Sequence, residues 1–495
     1  MSEPINDQIQ AQERQAIWVE LQTLRQDTQA FRTEAYRLRT AGNLDTEMNE
    51  RLHAQQRELG QRGETLIKRF LESFFYFLFL SFSSTPGPHL SALTTMDNEQ
   101  PFQIAVPEEA IELLKRKLED ARLPDEISDA KLEYGAPLAA IKRLAERWKS
   151  DYGWRKHERE LNLLPMFTRS VEVSGFGELN VHYVHQKSTV KDAIPLLFVH
   201  GWPGSFLEVT KVLPLLTAGS PDHPSFHVVA PSLPGYAWSE GVLKKGFNGK
   251  HYAELFNKLM ISLGYTKYVT QGGDWGHVLT LTTASKYGPH HVKASHTNFP
   301  MSEPLTFRQS PLKFLKCLLS RPTASERKGI ASSQTFFQNG MGYFVEQSTK
   351  PQTLGYGLAD SPVGLLAWIY EKLVSWTDGY PWTDDEVLTW VSIYWFSRAG
   401  PAASVRIYYE LAKTGETICF PKTTVPIGLS FFPKELAKFP KSLIRAKARV
   451  VFESEHEAGG HFAAYEQPDA LVGDLRKMFG RSGPAAAVVP GCTGY

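Results

Sequence analysis

Cysteine is nearly missing from this chain: three residues in 495 (Cys317, Cys419 and Cys492), widely spaced and odd in number. That excludes a disulfide framework and a Cys-rich zinc site, and it favours a reducing compartment. An excess of one charge is missing too. Lys and Arg total 54 against 53 Asp and Glu, a net charge of +1, so nothing electrostatic points to nucleic acid as a partner. Long apolar runs are absent. The longest, Phe74 to Leu80 with a weak extension to Phe82, falls short of the roughly 20 residues a spanning helix needs, and Glu72 and Ser73 interrupt its approach. Met1 to Gln12 is polar, with no basic stretch leading into an apolar one, so no secretory signal is expected. The ending Cys492-Thr493-Gly494-Tyr495 is neither a peroxisomal nor an ER-retention signal. No internal repeat is visible, and the histidines lack the spacing of a helical zinc site. What is present is globular: 42% hydrophobic and 22% charged residues, which excludes a wholly disordered chain.

The pattern divides the chain into six parts. Residues 1–95 form an extension and linker. From Ile17 to Phe70 it is rich in Glu, Gln, Arg and Leu with helical periodicity, and it ends in the linker-like Ser83-Ser84-Thr85-Pro86-Gly87-Pro88. A helical or low-order segment without a catalytic role is expected there. A coiled-coil contact or membrane-surface anchor is the alternative, and Met96 is an alternative start. Residues 96–177 carry amphipathic helices near Pro107–Ala121 and Pro137–Asp151, then strands at Val171–Val173 and Leu179–Val184 around Gly175 and Gly177. Residues 178–300 alternate strand and helix. Pro195–Val199, Phe226–Ala230 and Lys267–Thr270 read as buried parallel strands of a doubly wound α/β sheet. Residues 301–412 are aromatic-rich helices. Strands return at Val425–Ile427 and Ala448–Val451 within 413–480, and 481–495 is expected to be a flexible tail.

The strongest chemical signal is Gln271-Gly272-Gly273-Asp274-Trp275-Gly276, placed after an apolar strand and before a helix. Small residues two positions to either side of Asp274 give the spacing of a nucleophile elbow, with Asp in place of Ser. A carboxylate nucleophile suits an electrophilic sp³ carbon, such as that of an epoxide or alkyl halide, and forms an ester with it. Taken alone, the Asp reads equally well as a helix cap. The second signal is His200-Gly201-Trp202-Pro203-Gly204-Ser205, directly after a buried strand. Such a loop supplies one backbone N–H of an oxyanion hole, here Trp202, and the residue after the nucleophile, Trp275, supplies the other. The third is Gly459-Gly460-His461-Phe462, past the last strand, where a base belongs in chain order. His456 reads as solvated. Glu435, past the Val425–Ile427 strand, is the expected orienting carboxylate, with Glu453, Glu455 and Asp385 as rivals.

At these residues the sequence resembles the microsomal-type epoxide hydrolases of the α/β-hydrolase superfamily. The resemblance covers about residues 97–480. It rests on the motifs above together with Gln347-Ser348-Thr349-Lys350-Pro351-Gln352-Thr353 and Asp360-Ser361-Pro362-Val363-Gly364-Leu365. The stretch 100–175, with Trp154-Arg155, is similar to that family's N-terminal meander. The resemblance implies an α/β-hydrolase fold with a helical lid, and two lid tyrosines that hydrogen-bond the epoxide oxygen. Tyr343 matches the first. Tyr408 matches the second, with Tyr409 as the alternative. Residues 1–95 and the tail after Gly480 depart from the family pattern.

The implied activity converts an apolar epoxide and water into a vicinal diol through an ester of Asp274. No metal or organic cofactor is implied. The rivals are a haloalkane dehalogenase, which would use halide-binding N–H donors instead of paired tyrosines, and a non-catalytic binding protein, which would normally have lost a triad member. The aromatics Phe344, Trp368, Tyr370, Trp376, Trp382, Trp390 and Trp395 suggest an apolar pocket. The expected compartment is the cytoplasm, with the endoplasmic reticulum membrane as the alternative. A homodimer and an N-terminal membrane contact are left open.

Overall fold

The computed structural model describes residues 99–302, 319–416 and 421–495 continuously, with scattered positions elsewhere. The chain divides into Met1–Thr94 and Thr95–Tyr495, and the account below concerns the second unit. The helices expected over Ile17–Phe70, the apolar run from Phe74, the linker at Ser83–Pro88 and Cys419 lie outside the described residues.

The unit opens with a short strand β1 (Gln100–Pro101) and three helices, α1 (Glu108–Glu119), α2 (Leu138–Lys149) and α3 (Trp154–Leu161). Helical spacing places Ile111, Leu114 and Leu118 on one stripe of α1, and Ile141, Leu144 and Trp148 on one stripe of α2; all six are buried. β2 (Met166–Val173) and β3 (Gly177–Gln186) pair antiparallel through the turn at Gly175 and Gly177, both at positive φ, as the glycines predict. β4 (Ile194–Val199), buried at every position, leads through α4 (Leu213–Thr217) to β5 (Phe226–Pro231). α5 (Gly249–Ser262), β6 (Tyr268–Gly272), α6 (Trp275–Tyr287) and β7 (Val292–Thr297) follow. β7 escaped the sequence reading: Lys293, Ser295, His296 and Thr297 interrupt its apolar pattern, although the strand is largely buried.

Between β7 and the next strand lies a helical cap of α7 (Ala324–Asn339), α8 (Gly342–Thr349), α9 (Pro351–Asp360), α10 (Pro362–Ser375), α11 (Asp384–Trp395) and α12 (Arg406–Lys413). β8 (Ile427–Phe431), α13 (Lys441–Lys447), β9 (Val450–Glu455), α14 (Ala463–Glu466) and α15 (Pro468–Phe479) complete the chain order. The nine strands among the described residues form one sheet in the order β1-β2-β3-β5-β4-β6-β7-β8-β9. The pairings from β1 to β3 and between β3 and β5 are antiparallel, and the rest are parallel. This is the mostly parallel α/β-hydrolase architecture.

The segment 481–495 is not free of the body, as a flexible tail would be. Ala485 and Val489 are buried. Gly494 is threaded between the Asp192 carbonyl, which accepts its N–H at 2.9 Å, and the Ser225 N–H, which donates to its carbonyl at 2.7 Å. Small residues and two apolar anchors make that close seating sterically easy. Among the described residues, no helix is long and apolar enough to cross a membrane, and no group of three or more His, Cys, Asp or Glu side chains could hold a metal ion.

Candidate active site

Four loops at the carboxyl ends of parallel strands converge, which is where open α/β sheets build their sites. β4 ends into His200–Ser205, β6 into Asp274, β8 into Glu435 and β9 into His461.

The elbow after β6 is sterically forced. Asp274 sits at φ 49°, ψ −128°, a backbone conformation that costs a non-glycine residue about 1–3 kcal/mol. A Cβ on Gly272 would lie 2.4 Å from the Gly276 carbonyl oxygen, and one on Gly276 would lie 2.0 Å from that of Val199. Only glycine lets β6, α6 and the end of β4 approach this closely. A Cβ on Gly201 would likewise strike Asp274 Oδ1 at 2.2 Å. The glycines thus clear the space that the carboxylate occupies.

Asp274 Oδ1 accepts the Trp202 N–H at 2.7 Å. The Trp275 N–H belongs to the first turn of α6, whose N–H groups have no acceptor within the helix. Asp274 Oδ2 lies 3.3 Å from His461 Nε2, and His461 Nδ1 meets Glu435 Oε1 at 2.7 Å. Burial disfavours a charged imidazole, but the Glu435 and Asp274 carboxylates outweigh it and hold His461 well above its ordinary value. His200 is different. Burial lowers it to about 4, so it is neutral. Its Nε2 accepts the Leu233 N–H at 3.2 Å, which leaves Nδ1 to donate to the Gly201 carbonyl at 2.9 Å and brace the loop.

The cap contributes two phenols. Tyr343 opens α8, and its ring stacks on Trp202 with centroids 5.5 Å apart. Tyr408, on α12, stands edge-on to Trp275 at 4.8 Å and to Tyr343 at 5.9 Å. Tyr409 points elsewhere: it is partly exposed, with Lys413 Nζ 5.1 Å from its ring. Burial raises both Tyr343 and Tyr408 well above 10, and the nearby Asp274 charge adds to the shift. The Tyr408 hydroxyl and the Trp275 indole N–H have no hydrogen-bond partner of good geometry. Of the aromatics expected to line the pocket, Trp376 (5.1 Å from His461) and Phe344 (5.4 Å from Tyr408) wall the site, whereas Trp382 and Trp390 pack behind it against Phe462 and Tyr465.

The structure brings together Asp274, His461, Glu435, Trp202, Trp275, Tyr343 and Tyr408. It keeps the rival carboxylates away. Glu453 and Glu455 lie on β9 and pair with Arg445 and Lys441. Asp385 sits in the first turn of α11 and takes both Arg147 Nε and Nη2. His456 is not solvated: its Nε2 meets the fully buried Asp474 at 2.6 Å, because β9 continues farther than its apolar residues suggested and carries His456 back onto α15.

Sequence reasoning missed three supports. Trp390 Nε1 and Tyr394 Oη, both on α11, donate to the Pro203 and Gly204 carbonyls and pin the oxyanion loop from above. Asp378 accepts the Gly459 N–H at 3.0 Å and Glu466 accepts the Gly460 N–H at 2.8 Å, which together hold the loop of His461. Glu208 places its carboxyl against the oxyanion loop. The only local signal for it was a carboxylate eight residues after His200, inside an otherwise apolar turn.

Comparison with known proteins adds an independent observation. Residues 99–209 match the family model described as epoxide hydrolase N terminus, and 194–316 match the alpha/beta hydrolase fold model. Epoxide hydrolase 1 of Sus scrofa is 35% identical over 417 residues, spanning 77% of this chain and 88% of the pig protein. The solved Aspergillus niger epoxide hydrolase superposes with a TM-score of 0.66 at 33% identity, covering 77% of this chain and 95% of that one. The juvenile hormone epoxide hydrolase of Bombyx mori gives a TM-score of 0.68 at 31% identity, covering 76% and 93%.

Proposed function

The chain belongs to the epoxide hydrolase family and is a hydrolytic enzyme of that kind, and we propose that it opens an apolar epoxide to a vicinal diol through an ester of Asp274. One observation carries this mechanism: Asp274 is held in a strained backbone conformation with one oxygen on the Trp202 N–H and the other facing a base that is itself oriented by Glu435.

In the first step, an Asp274 oxygen forms a bond to a ring carbon while that carbon's bond to the epoxide oxygen breaks. The departing oxygen takes a proton from Tyr343 or Tyr408. Because both phenols titrate well above 10, they are protonated donors throughout the ordinary pH range. Tyr408 rather than Tyr409 fits this role, since only its ring reaches Trp275 and Tyr343. The resulting tyrosinate recovers its proton from solvent or from the His461 imidazolium.

Ester formation also changes the base. While Asp274 is charged, His461 is held in its protonated form, which cannot accept a proton. Esterification removes the Asp274 charge, the pKa of His461 falls, and the imidazole can then deprotonate a water. The hydroxide adds to the Asp274 carbonyl carbon, and the Trp202 and Trp275 N–H groups stabilise the oxyanion; losing one such donor typically costs about 10²–10³-fold in rate. Collapse releases the diol and restores the carboxylate. Phe344 and Trp376 favour an apolar substituent on the epoxide. The sparse, scattered cysteines support a cytoplasmic setting.

The test is a single turnover of styrene oxide in heavy-oxygen water, read by peptide mapping. The expected result is label in the Asp274 carboxylate and light oxygen in the first diol. Labelled diol with an unlabelled Asp274 would mean that water attacks the ring directly.

A further inference from the structure

An ammonium group is buried in the cap beside the site, and neither step above uses it. Lys372, on α10, is only 8% exposed. Trp368, Lys372 and Trp376 follow one another at four-residue spacing, so they share one face of that helix. Side chains on that face reach α8. Trp368 Nε1 donates to Gln347 Oε1 at 3.2 Å, and Tyr343 lies one turn before Gln347 on α8. Lys372 Nζ thereby lies over the Tyr343 ring, 4.9 Å from its centroid, with the Trp376 and Trp368 rings at 5.7 and 5.8 Å. Glu371 is its ion-pair partner and the more exposed of the two, its side chain 24% accessible against 10% for Lys372. A lysine is rarely buried without such a partner. Packing alone gives no reason for the charge, because a methionine or leucine would fill the space between these rings at a lower desolvation cost.

The charge matters when Tyr343 gives up its proton. The negative charge of a phenolate spreads from the oxygen into the ring, so a cation over the ring face attracts the phenolate more strongly than the neutral phenol. The other surroundings of Tyr343 mostly oppose its ionisation. Burial does so most, the charges of Asp274, Glu371 and Glu435 add to it, and a hydrogen bond with Tyr408 works the other way. Asp274 loses its charge as its ester forms, but burial and Glu435 remain. We propose that the Lys372 ammonium stabilises the Tyr343 phenolate that forms as the epoxide oxygen departs with the proton. Lys372 keeps its own proton and acts through Tyr343, so it is a positioning residue for epoxide opening. Its ring contacts are with Tyr343, Trp368 and Trp376 and not with Tyr408, so its effect belongs to one donor of the pair. Ester hydrolysis creates no phenolate, so the second step should not depend on it.

This inference rests on Tyr343 as a proton donor, and paired variants test the two separately. Trp202, Trp275 and Trp376 beside the site report ester formation and decay by stopped-flow fluorescence, with styrene oxide as the probe. Lys372→Met should slow ester formation by about 3-fold in the parent, where Tyr408 also donates, and by about 10-fold in Tyr408→Phe, where Tyr343 donates alone. In Tyr343→Phe the same change should move the rate by less than about 2-fold, because the group it acts through is gone. Lys372→Arg, which keeps a cation against the ring, should recover most of the loss. Glu371→Gln leaves the cation and removes an opposing charge, so ester formation should run at the parental rate or faster. Ester decay should match the parent throughout. If the methionine variant fails to fold, Lys372→Gln, whose amide can still bond Glu371, takes its place in the same comparison. Equal slowing in the Tyr408→Phe and Tyr343→Phe backgrounds, no recovery with arginine, or a loss in Glu371→Gln as large as that in Lys372→Met would each overturn the role of Lys372. A Tyr343→Phe enzyme that forms the ester at the parental rate would instead overturn Tyr343 as a donor.

Discussion

The floor of the site and its roof are built by opposite means. The floor, made of the loops after β4, β6, β8 and β9, is positioned by backbone. Three glycines admit no Cβ, Asp274 is held at positive φ, and the polar atoms that matter are paired within about 3 Å. The roof, made of α8, α10 and α12, is positioned by ring packing. Tyr343, Phe344, Trp376 and Tyr408 set one another at centroid distances of 5.1 to 6.4 Å, and the Tyr408 hydroxyl lacks a well-formed partner. The lesson is a division of labour. The proposed nucleophile is fixed by backbone, whereas the proposed donors to the leaving oxygen are held by the rings around them.

Substitutions can break or sharpen that contrast. The largest effect belongs to the floor: Asp274→Asn should lower kcat by at least about 10⁴-fold with thermal unfolding little changed. Substantial residual turnover would show that the floor does not supply the nucleophile. The roof should behave as a redundant pair. Tyr343→Phe and Tyr408→Phe should each slow ester formation by about 10-fold, and the double variant by about 10³-fold. A single variant as damaged as the double would mean that the donors are not interchangeable. Gly276→Ala tests the steric logic, since the added methyl collides with the Val199 carbonyl. It should cost about 3 kcal/mol or more in urea unfolding, beyond what the same change costs at Gly473, where nothing lies within 4 Å. Tyr394→Phe removes the cap's donor to Gly204 and should cost about 1 kcal/mol of stability with a modest fall in kcat. The smallest effect is an expected absence. Ester formation should show no basic limb up to pH 10, because both phenols stay protonated there. A limb below that value would mean that the roof is wetter than its packing implies.

The same contrast explains what the sequence disclosed. Floor residues announce themselves, because a glycine two places on either side of Asp274 is the local consequence of a close approach. The buried strands β4, β5 and β6 were legible as short apolar runs. β7 was not, because its His296 and Ser295 are satisfied by partners on other strands: Ser430 on β8 and Thr270 on β6. On the roof, a tyrosine proposed to be catalytic looks, among aromatics, like any core ring, and family resemblance alone singled out Tyr343 and Tyr408. Glu208 and Asp378 act through distances that no spacing rule encodes.

The union of α2 with α11 has a consequence in time. Arg147 meets Asp385 and Trp148 meets Ser392 across 238 and 244 positions of chain. Closing so long a loop adds little to the thermodynamic cost, since that cost grows only with the logarithm of length, but contacts this distant form late. An apolar stripe made near the start of this unit must wait for a helix made near its end, and the oxyanion loop, which α11 grips through Pro203 and Gly204, waits with it. Once joined, the two ends no longer depend on the peptide between them. A protease cut beside Leu312 or Leu319, both exposed, should leave a nicked enzyme that still holds its shape.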